Sequence, residues 1–296
     1  MPNKMNKAIL IFILLFFLKF DKSYAQYTEI INSNRPGASS GAFSVGKDIL
    51  QVENGLFIIN EKHQLLNNKV NGYGFNFKIR YGLFTEKLEV VTEGIFQADN
   101  YKDLRFNPSN NFKRKNFKKF KIGLKYLIFD PNKGIQEKPN IYSYWDGKKF
   151  KLKNLIPAIS TYVGLNIDSK NNPYILNGLS GINPSLTIIT QSNLTYKTVL
   201  TTNFLLERIG SVQNDFEYII SLTHSFNQKF IGYFDKHGIK SDFYADNLTG
   251  FGIAYLYNNN LQFDLGTKFN FKETPSILFL NLGVSYRLDF NNNLND

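Results

Sequence analysis

The sequence predicts an all-β protein, a transmembrane antiparallel β-barrel of about twelve strands in an up-and-down meander. Three observations point there. Segments of about ten residues alternate apolar and polar along most of the chain, the period of two that belongs to a strand. The 28 Phe and 17 Tyr, beside one Trp and two Met, tilt the composition toward strands. Beyond the first 25 residues, no segment reaches the ~20 continuous apolar residues of a membrane helix, so membrane residence has to come from strands.

Residues 1–25, "MPNKMNKAILIFILLFFLKFDKSYA", carry Lys4 and Lys7, an apolar run from Ala8 to Leu18 and the small-x-small element Ser23-Tyr24-Ala25. This is the layout of an export signal cut before Gln26. The formal charge of the whole chain is +11, and removing the signal leaves about +8, which suits phosphate-rich membrane surfaces or anionic solutes. For an exported chain, nucleic acid is not an expected partner. Cysteine is absent, which excludes disulfides, thiol chemistry and an acylated N-terminal cysteine.

Residues 26–47 form a Gly/Ser-rich leader, read as a periplasmic leader or a lumen plug, and residues 48–290 form the barrel. Its strands are expected near 48–60, 70–82, 87–98, 117–129, 155–167, 183–190, 196–208, 214–226, 229–237, 249–258, 261–271 and 276–290. In "GYGFNFKIRYG", Tyr73, Phe75, Phe77, Ile79 and Tyr81 share one face while Asn76, Lys78 and Arg80 share the other. In "ILFLNLGVSYRLDF", Leu278 through Phe290 at even positions oppose Asn281, Gly283, Ser285, Arg287 and Asp289. So many bulky residues facing away from Lys, Arg and Asp indicate a lipid-facing exterior and a polar lumen rather than the core of a sandwich. With the N-terminus in the periplasm, the short connections fall on the periplasmic side and the longer polar ones outside. The 130–154 connection is the exception. Its "IYSYWDGKKFKLK" reads as a hairpin with an Asp146-Gly147 turn, giving fourteen strands if it joins the wall, and Lys149 to Lys153 are expected to meet anionic headgroups. Residues 291–296 are a polar C-terminal tail.

Parity places Lys78, Arg80, Glu89, Glu93, Lys121, Lys125, Gln262, Asp264, Lys268, Arg287 and Asp289 in the lumen. The second turn sets Lys78 and Arg80 across from Glu89 and Glu93, with Lys121 near Glu93 and Lys125 near Glu89. Each such pair is worth roughly 0.2–1 kcal/mol. One reading is a structural ladder that rigidifies a narrow wet interior; the other is a charged constriction that selects solutes. The leader is expected to fold into the periplasmic mouth, with Arg35 paired to Glu53 or Asp289. The basic run "FKRKNFKKFK" is read as a solvated loop at the outer end of the fourth strand, with lipopolysaccharide phosphates as a partner.

An enzyme is not expected. His63, His224 and His237 are too scattered for a metal cluster, and no phosphate-cradling loop is present, so no catalytic residue, metal or cofactor is assigned. "THSFN" sets His224 on the lipid face, the arrangement of outer-membrane phospholipases, but Ser225 faces inward by parity.

The segment "NSNRPGASSGAFSVGKDILQVENGLF" resembles the start of an outer-membrane barrel family labelled transporter-like or MetA-pathway phenol degradation. Arg35, Pro36, Gln51 and Glu53 match its Arg-Pro and Gln-x-Glu elements, while Asn34 replaces the family's acid. The last strands, with Gln262, Asp264 and Ser285-Tyr286-Arg287, are similar as well. This resemblance implies uptake of small aromatic compounds. "VSYRLDF" resembles the aromatic-terminated closing strand that barrel-assembly machinery recognises. The expectation is therefore a passive channel or transporter for small solutes in the outer membrane of a Gram-negative bacterium. The rival is a non-conducting barrel that serves a structural or docking role.

Overall fold

The computed structural model describes residues 31–106, 108–133, 152–176, 179–242 and 245–290. Twelve strands follow one another: β1 (Ile49–His63), β2 (Asn68–Gly82), β3 (Leu88–Asp103), β4 (Asn110–Phe129), β5 (Ala158–Asp168), β6 (Gly181–Asn193), β7 (Thr198–Glu207), β8 (Asp215–Ser225), β9 (Phe230–Lys240), β10 (Ala245–Asn258), β11 (Leu261–Phe269) and β12 (Ser276–Asp289). Each pairs antiparallel with its sequence neighbours, and β12 pairs with β1 to close the barrel. Closure satisfies both edges of the sheet, which is what a strand protein needs in a medium without water.

Strand parity separates two faces. Leu56, Val163, Ile182, Leu282 and Phe251 are half or more exposed on the outside. Gln51, Glu53, Arg80, Glu89, Lys125 and Arg287 are buried within. An apolar shell around a charged interior inverts the layout of a water-soluble core and matches a barrel bathed in lipid. The signal and tail expectations, 1–25 and 291–296, lie outside the described residues. So does most of the hairpin expected at 141–153. Because β4 pairs directly with β5 from Lys121↔Asn166 to Phe129↔Ile159, no further strand stands between them and the fourteen-strand alternative is excluded. At the end of that stretch Leu152–Leu155 form a 3-10 turn, not a strand.

The basic run on β4 is also corrected. It is wall, not loop, and the ladder shifts register between Ile95↔Lys119 and Phe96↔Phe117. The extra residue, Lys118, is a β-bulge that flips parity. Lys119 and Lys121 therefore face inward together with Arg114, while Lys113, Lys115 and Lys118 are exposed. Without the bulge, strict alternation from Lys121 would turn Arg114 outward into lipid.

Candidate functional site: a partitioned lumen

Residues 31–47 run inside the barrel, attached to the end that carries the short turns. Ile31 N–H donates to Asn259 O in the β10–β11 turn (2.8 Å). The segment then crosses the lumen, and its backbone amides are accepted in turn by wall side chains. Asn34 N–H donates to Glu53 on β1 (3.3 Å), Ala38 N–H to Asp235 on β9 (2.9 Å) and Ser40 N–H to Asn203 on β7 (2.6 Å). Ala42 N–H donates to Gln191 on β6 (3.0 Å) and Val45 N–H to Glu89 on β3 (2.8 Å). A strandless segment inside a barrel has no ladder partner for its amides, and each one left unpaired costs about 1–3 kcal/mol. The lumen acids and amides supply the missing acceptors.

Wall cations satisfy the carbonyls of the same segment. Arg80 donates to Asn32 O and Phe43 O, each at 3.0 Å, while its other contacts hold Glu89 at 3.0 and 3.1 Å. Lys125 lies 2.8 Å from Glu89 and donates to Gly41 O and Phe43 O at 2.9 Å. Arg80, Glu89 and Lys125, with Glu53 3.7 Å from Arg80 balancing the second cation, thus form a socket whose cations also hydrogen-bond the leader. The lower half of the ladder thus grips a chain segment.

Arg35 makes the most side-chain contacts of the leader's described residues with the wall. Its Nε and Nη2 make a two-pronged contact with Asp264 at 3.0 and 2.9 Å. Nη1 donates to Asn76, and Nη2 also reaches Asn281 at 3.0 Å. The expectation of Glu53 or Asp289 as its partner is therefore corrected. Asp289 sits at the last rung of β12, opposite Ile49, and Glu53 accepts from the neighbouring Asn34 amide and from Gln51 (2.6 Å). Gly55 and Gly283 face one another across the β1–β12 seam. A Cβ on Gly55 would stand 2.6 Å from Arg35 Cζ, and one on Gly283 would overlap the same guanidinium. Paired glycines cut the slot into which the cation fits. Gln262 closes the site by donating to Arg35 O (3.1 Å), while Arg287 is buried below it, across from Gln51.

Nearer the long-loop end lies a second charged cluster. Lys78 meets Glu93 at 2.9 Å and donates to Ser40 Oγ of the leader at 2.9 Å. Lys121 bridges Glu93 (3.1 Å) and Glu207 (2.9 Å), and Lys119 reaches Glu207 at 2.8 Å. His237 and Glu217 pair at 2.8 Å. Sequence reasoning placed Lys78, Glu93 and Lys121 together but missed Lys119, Glu207, Glu217, His237, Asn203 and Asp235. Parity alone could have turned Glu207 and Asp235 inward; their meeting with strands across the barrel needs three dimensions. Lys268 faces the same space with no hydrogen bond or ion pair among the described residues.

At the outer end Arg114 holds Asp99 at 2.8 Å, with its guanidinium over Tyr101 (4.8 Å) and Tyr174 (5.2 Å). Tyr174, on the β5–β6 connection, donates to carbonyls of β3 and β4. Burial, and then the Asp99 carboxylate, raise the Tyr174 phenol above its ordinary range, keeping it a neutral donor.

Two cavities border the leader. One of about 240 Å³ lies against the leader and reaches both charged clusters, lined by Tyr162, Leu205, Ile219 and Phe279 interleaved with Lys78, Lys121 and Lys268: Lys121 Nζ is 5.0 Å from the Tyr162 ring centroid and Lys268 is directly across from Phe279. The second, of about 160 Å³, is bounded by Gln191, Thr201, Ser221 and Tyr233. Asn34 to Gly37 and Ser39 line both, so the leader is the partition between them. Among the described residues no group of His, Asp and Glu could hold a metal. His224 bonds Thr198 Oγ1 through Nδ1 at 2.9 Å and stands edge-on to Phe226.

A closed antiparallel barrel of even strand number, apolar outside and charged within, is an outer-membrane protein of the Gram-negative type. The family model described as "Putative MetA-pathway of phenol degradation" matches residues 33–288, and the chain belongs to that family. Among solved structures, an outer-membrane channel from Pseudomonas putida F1 shares 9% identity at a TM-score of 0.50, over 87% of this chain and all of that one. The Neisseria meningitidis autotransporter NalP translocator domain (10% identity, TM-score 0.49, 81% and 88% covered) is also similar. So is the Pseudomonas putida toluene transporter TodX (10%, 0.47, 90% and 99%). At these identities the likeness is one of fold. No curated protein matches the sequence.

Proposed function

We propose that the protein is an outer-membrane channel for small solutes, exported through residues 1–25, with the leader as a gate across its lumen. The observation that carries this reading is the partition. Two cavities share the thin segment Asn34 to Gly37 and Ser39 as a common wall, so displacing that segment joins them into one path. The leader is held by hydrogen bonds and ion pairs to inward side chains of β1, β2, β3, β4, β6, β7, β9, β11 and β12, and the strand ladder itself does not depend on them. Release therefore leaves the barrel intact.

The solute is small. A dry cavity of about 150 Å³ accepts benzene, and the first of these cavities, at about 240 Å³, is larger. Its lining, in which Leu205, Ile219 and Phe279 are interleaved with Lys78, Lys121 and Lys268, suits an aromatic ring bearing a polar or anionic substituent. That agrees with the phenol in the family's description. Passage is passive diffusion past the Lys78–Glu93–Lys121 ring of charge. We also propose that β12, with Phe290 directly after it, is what barrel-assembly machinery recognises.

The test is conductance of the refolded mature chain in planar bilayers beside a deletion of residues 27–45, with phenol flux into liposomes measured on both. The expected result is low or intermittent current that becomes steady in the deletion, with phenol flux rising in parallel. A folded deletion variant that stays silent to ions and impermeable to phenol would favour the docking barrel instead.

A further inference from the structure

On the outward face of β1 to β4, at the end opposite the leader's entry, residues are stacked by chemical type in successive rungs. The first rung is apolar: Leu56, Phe75, Phe96 and Phe117 stand side by side across four strands, with Phe75–Phe96 and Phe96–Phe117 rings 5.4 and 5.3 Å apart. Two rungs outward, Asn60, Asn71 and Asn100 align. Beyond them Lys62 faces Lys69, and Lys69 faces Lys102. On β4 the cations sit lower, Lys113 on the asparagine rung opposite Asn100 and Lys115 one rung nearer the aromatics opposite Ala98, and Asn111 stands opposite Lys102.

Three lysines on one rung are unfavourable within the fold. Directly opposed side chains have Cβ atoms roughly 5 Å apart, and like charges there destabilise the sheet. No outward-facing position of these four strands holds Asp or Glu, and none of the five lysines has an ion-pair partner among the described residues. A strand crosses the hydrocarbon in roughly 9–11 residues, so counting from Ile49, Gly82 and Leu88 the lysine rung falls just beyond the apolar belt, at headgroup depth. Across β1 to β3 the sequence from acyl-compatible aromatics, through amides that hydrogen-bond hydroxyls and carbonyls, to ammoniums matches one kind of amphiphile layer by layer.

We propose that this face binds a phosphorylated glycolipid of the outer leaflet, with acyl chains on the Phe75–Phe96–Phe117 surface, sugar at the asparagine rung and phosphate on Lys62, Lys69 and Lys102. Phosphate between the ammoniums converts their mutual repulsion into charge-assisted hydrogen bonds. The site lies outside the lumen and does not rest on the channel reading.

The experiment uses the mature protein in phosphatidylcholine nanodiscs, titrated with bis-phosphorylated lipid A or with phosphatidylglycerol, and retention is read by native mass spectrometry. The variants are Lys62→Gln/Lys69→Gln/Lys102→Gln and, at the opposite end, Lys229→Gln. Lipid A is expected to bind the parent and the Lys229 variant alike and the triple variant about tenfold or more weakly. Without glycolipid the triple variant should be at least as heat-stable as the parent, since only repulsion has been removed. Equal binding to the triple variant overturns the proposal. Equal retention of phosphatidylglycerol overturns the glycolipid assignment, and a loss of unliganded stability in the triple variant overturns the claim that the rung awaits an external anion.

Discussion

Replacing Arg35 by Met isolates the gate from the wall. The side chain of Asp264 is fully buried and that of Arg35 is 11% exposed, so removing the cation strands a carboxylate that has two hydrogen bonds from it. Breaking a buried pair costs roughly 3–5 kcal/mol. Here that is an upper bound on the loss of leader docking, because water enters the lumen once the segment leaves and rehydrates Asp264. The cost therefore appears as leader release rather than unfolding, a shift of up to about two to four decades in the docked-to-released ratio. The strand ladder and the Arg80–Glu89–Lys125 socket remain, so the barrel should keep its heat-modifiable migration on gels. In planar bilayers the open probability of Arg35→Met should rise toward that of the leader deletion. Gly283→Ala should behave in the same direction, since its methyl takes the space of the guanidinium while leaving every charge in place. If Arg35→Met is folded and shows the closed fraction of the parent, the slot is not what holds the gate and the reasoning fails.

Other changes test the rest of the lumen. Glu89→Gln leaves Arg80 and Lys125 without their shared anion and should lower unfolding stability by roughly 3 kcal/mol or more, read as a drop in the melting temperature of the refolded barrel. In the leader-deletion background, Glu93→Gln removes the anion shared by Lys78 and Lys121 and should move the reversal potential in a salt gradient toward anion preference; an unchanged potential places the constriction elsewhere. Lys268→Gln, in the same background, should move it the opposite way and reduce entry of benzoate more than of benzyl alcohol. Deleting Lys118 removes the bulge residue while leaving Arg114 opposite Asp99, so stability within about 1 kcal/mol of the parent is expected; a collapse would mean the bulge itself is required.

The sequence by itself determined the barrel. Alternation with a period of two needs only that a strand present its two faces to two media, so the lipid face from Leu278 to Phe290 and the lumen face of Lys78 and Arg80 could be read directly. The pairs Lys78–Glu93, Lys121–Glu93 and Lys125–Glu89 were legible for the same reason, since they join strands linked by a hairpin or adjacent in a meander, where register is nearly local. Parity failed where one residue interrupts it: the Lys118 bulge moved Arg114 to the lumen and made wall of what read as loop.

Only the tertiary structure decided what the lumen charges hold. Arg35 and Asp264 are 229 residues apart, and their meeting depends on barrel closure at the β1–β12 seam, on the path of the leader and on a slot made by two glycines that carry no charge signal of their own. Closure likewise brought Glu207 from β7 to Lys119 and Lys121 on β4, across strands with no sequence relation. Alternation records which medium a side chain faces. Which partner it meets there is set by how the chain closes on itself, because contacts across a lumen follow the curvature of the whole sheet and not the neighbours along any one strand.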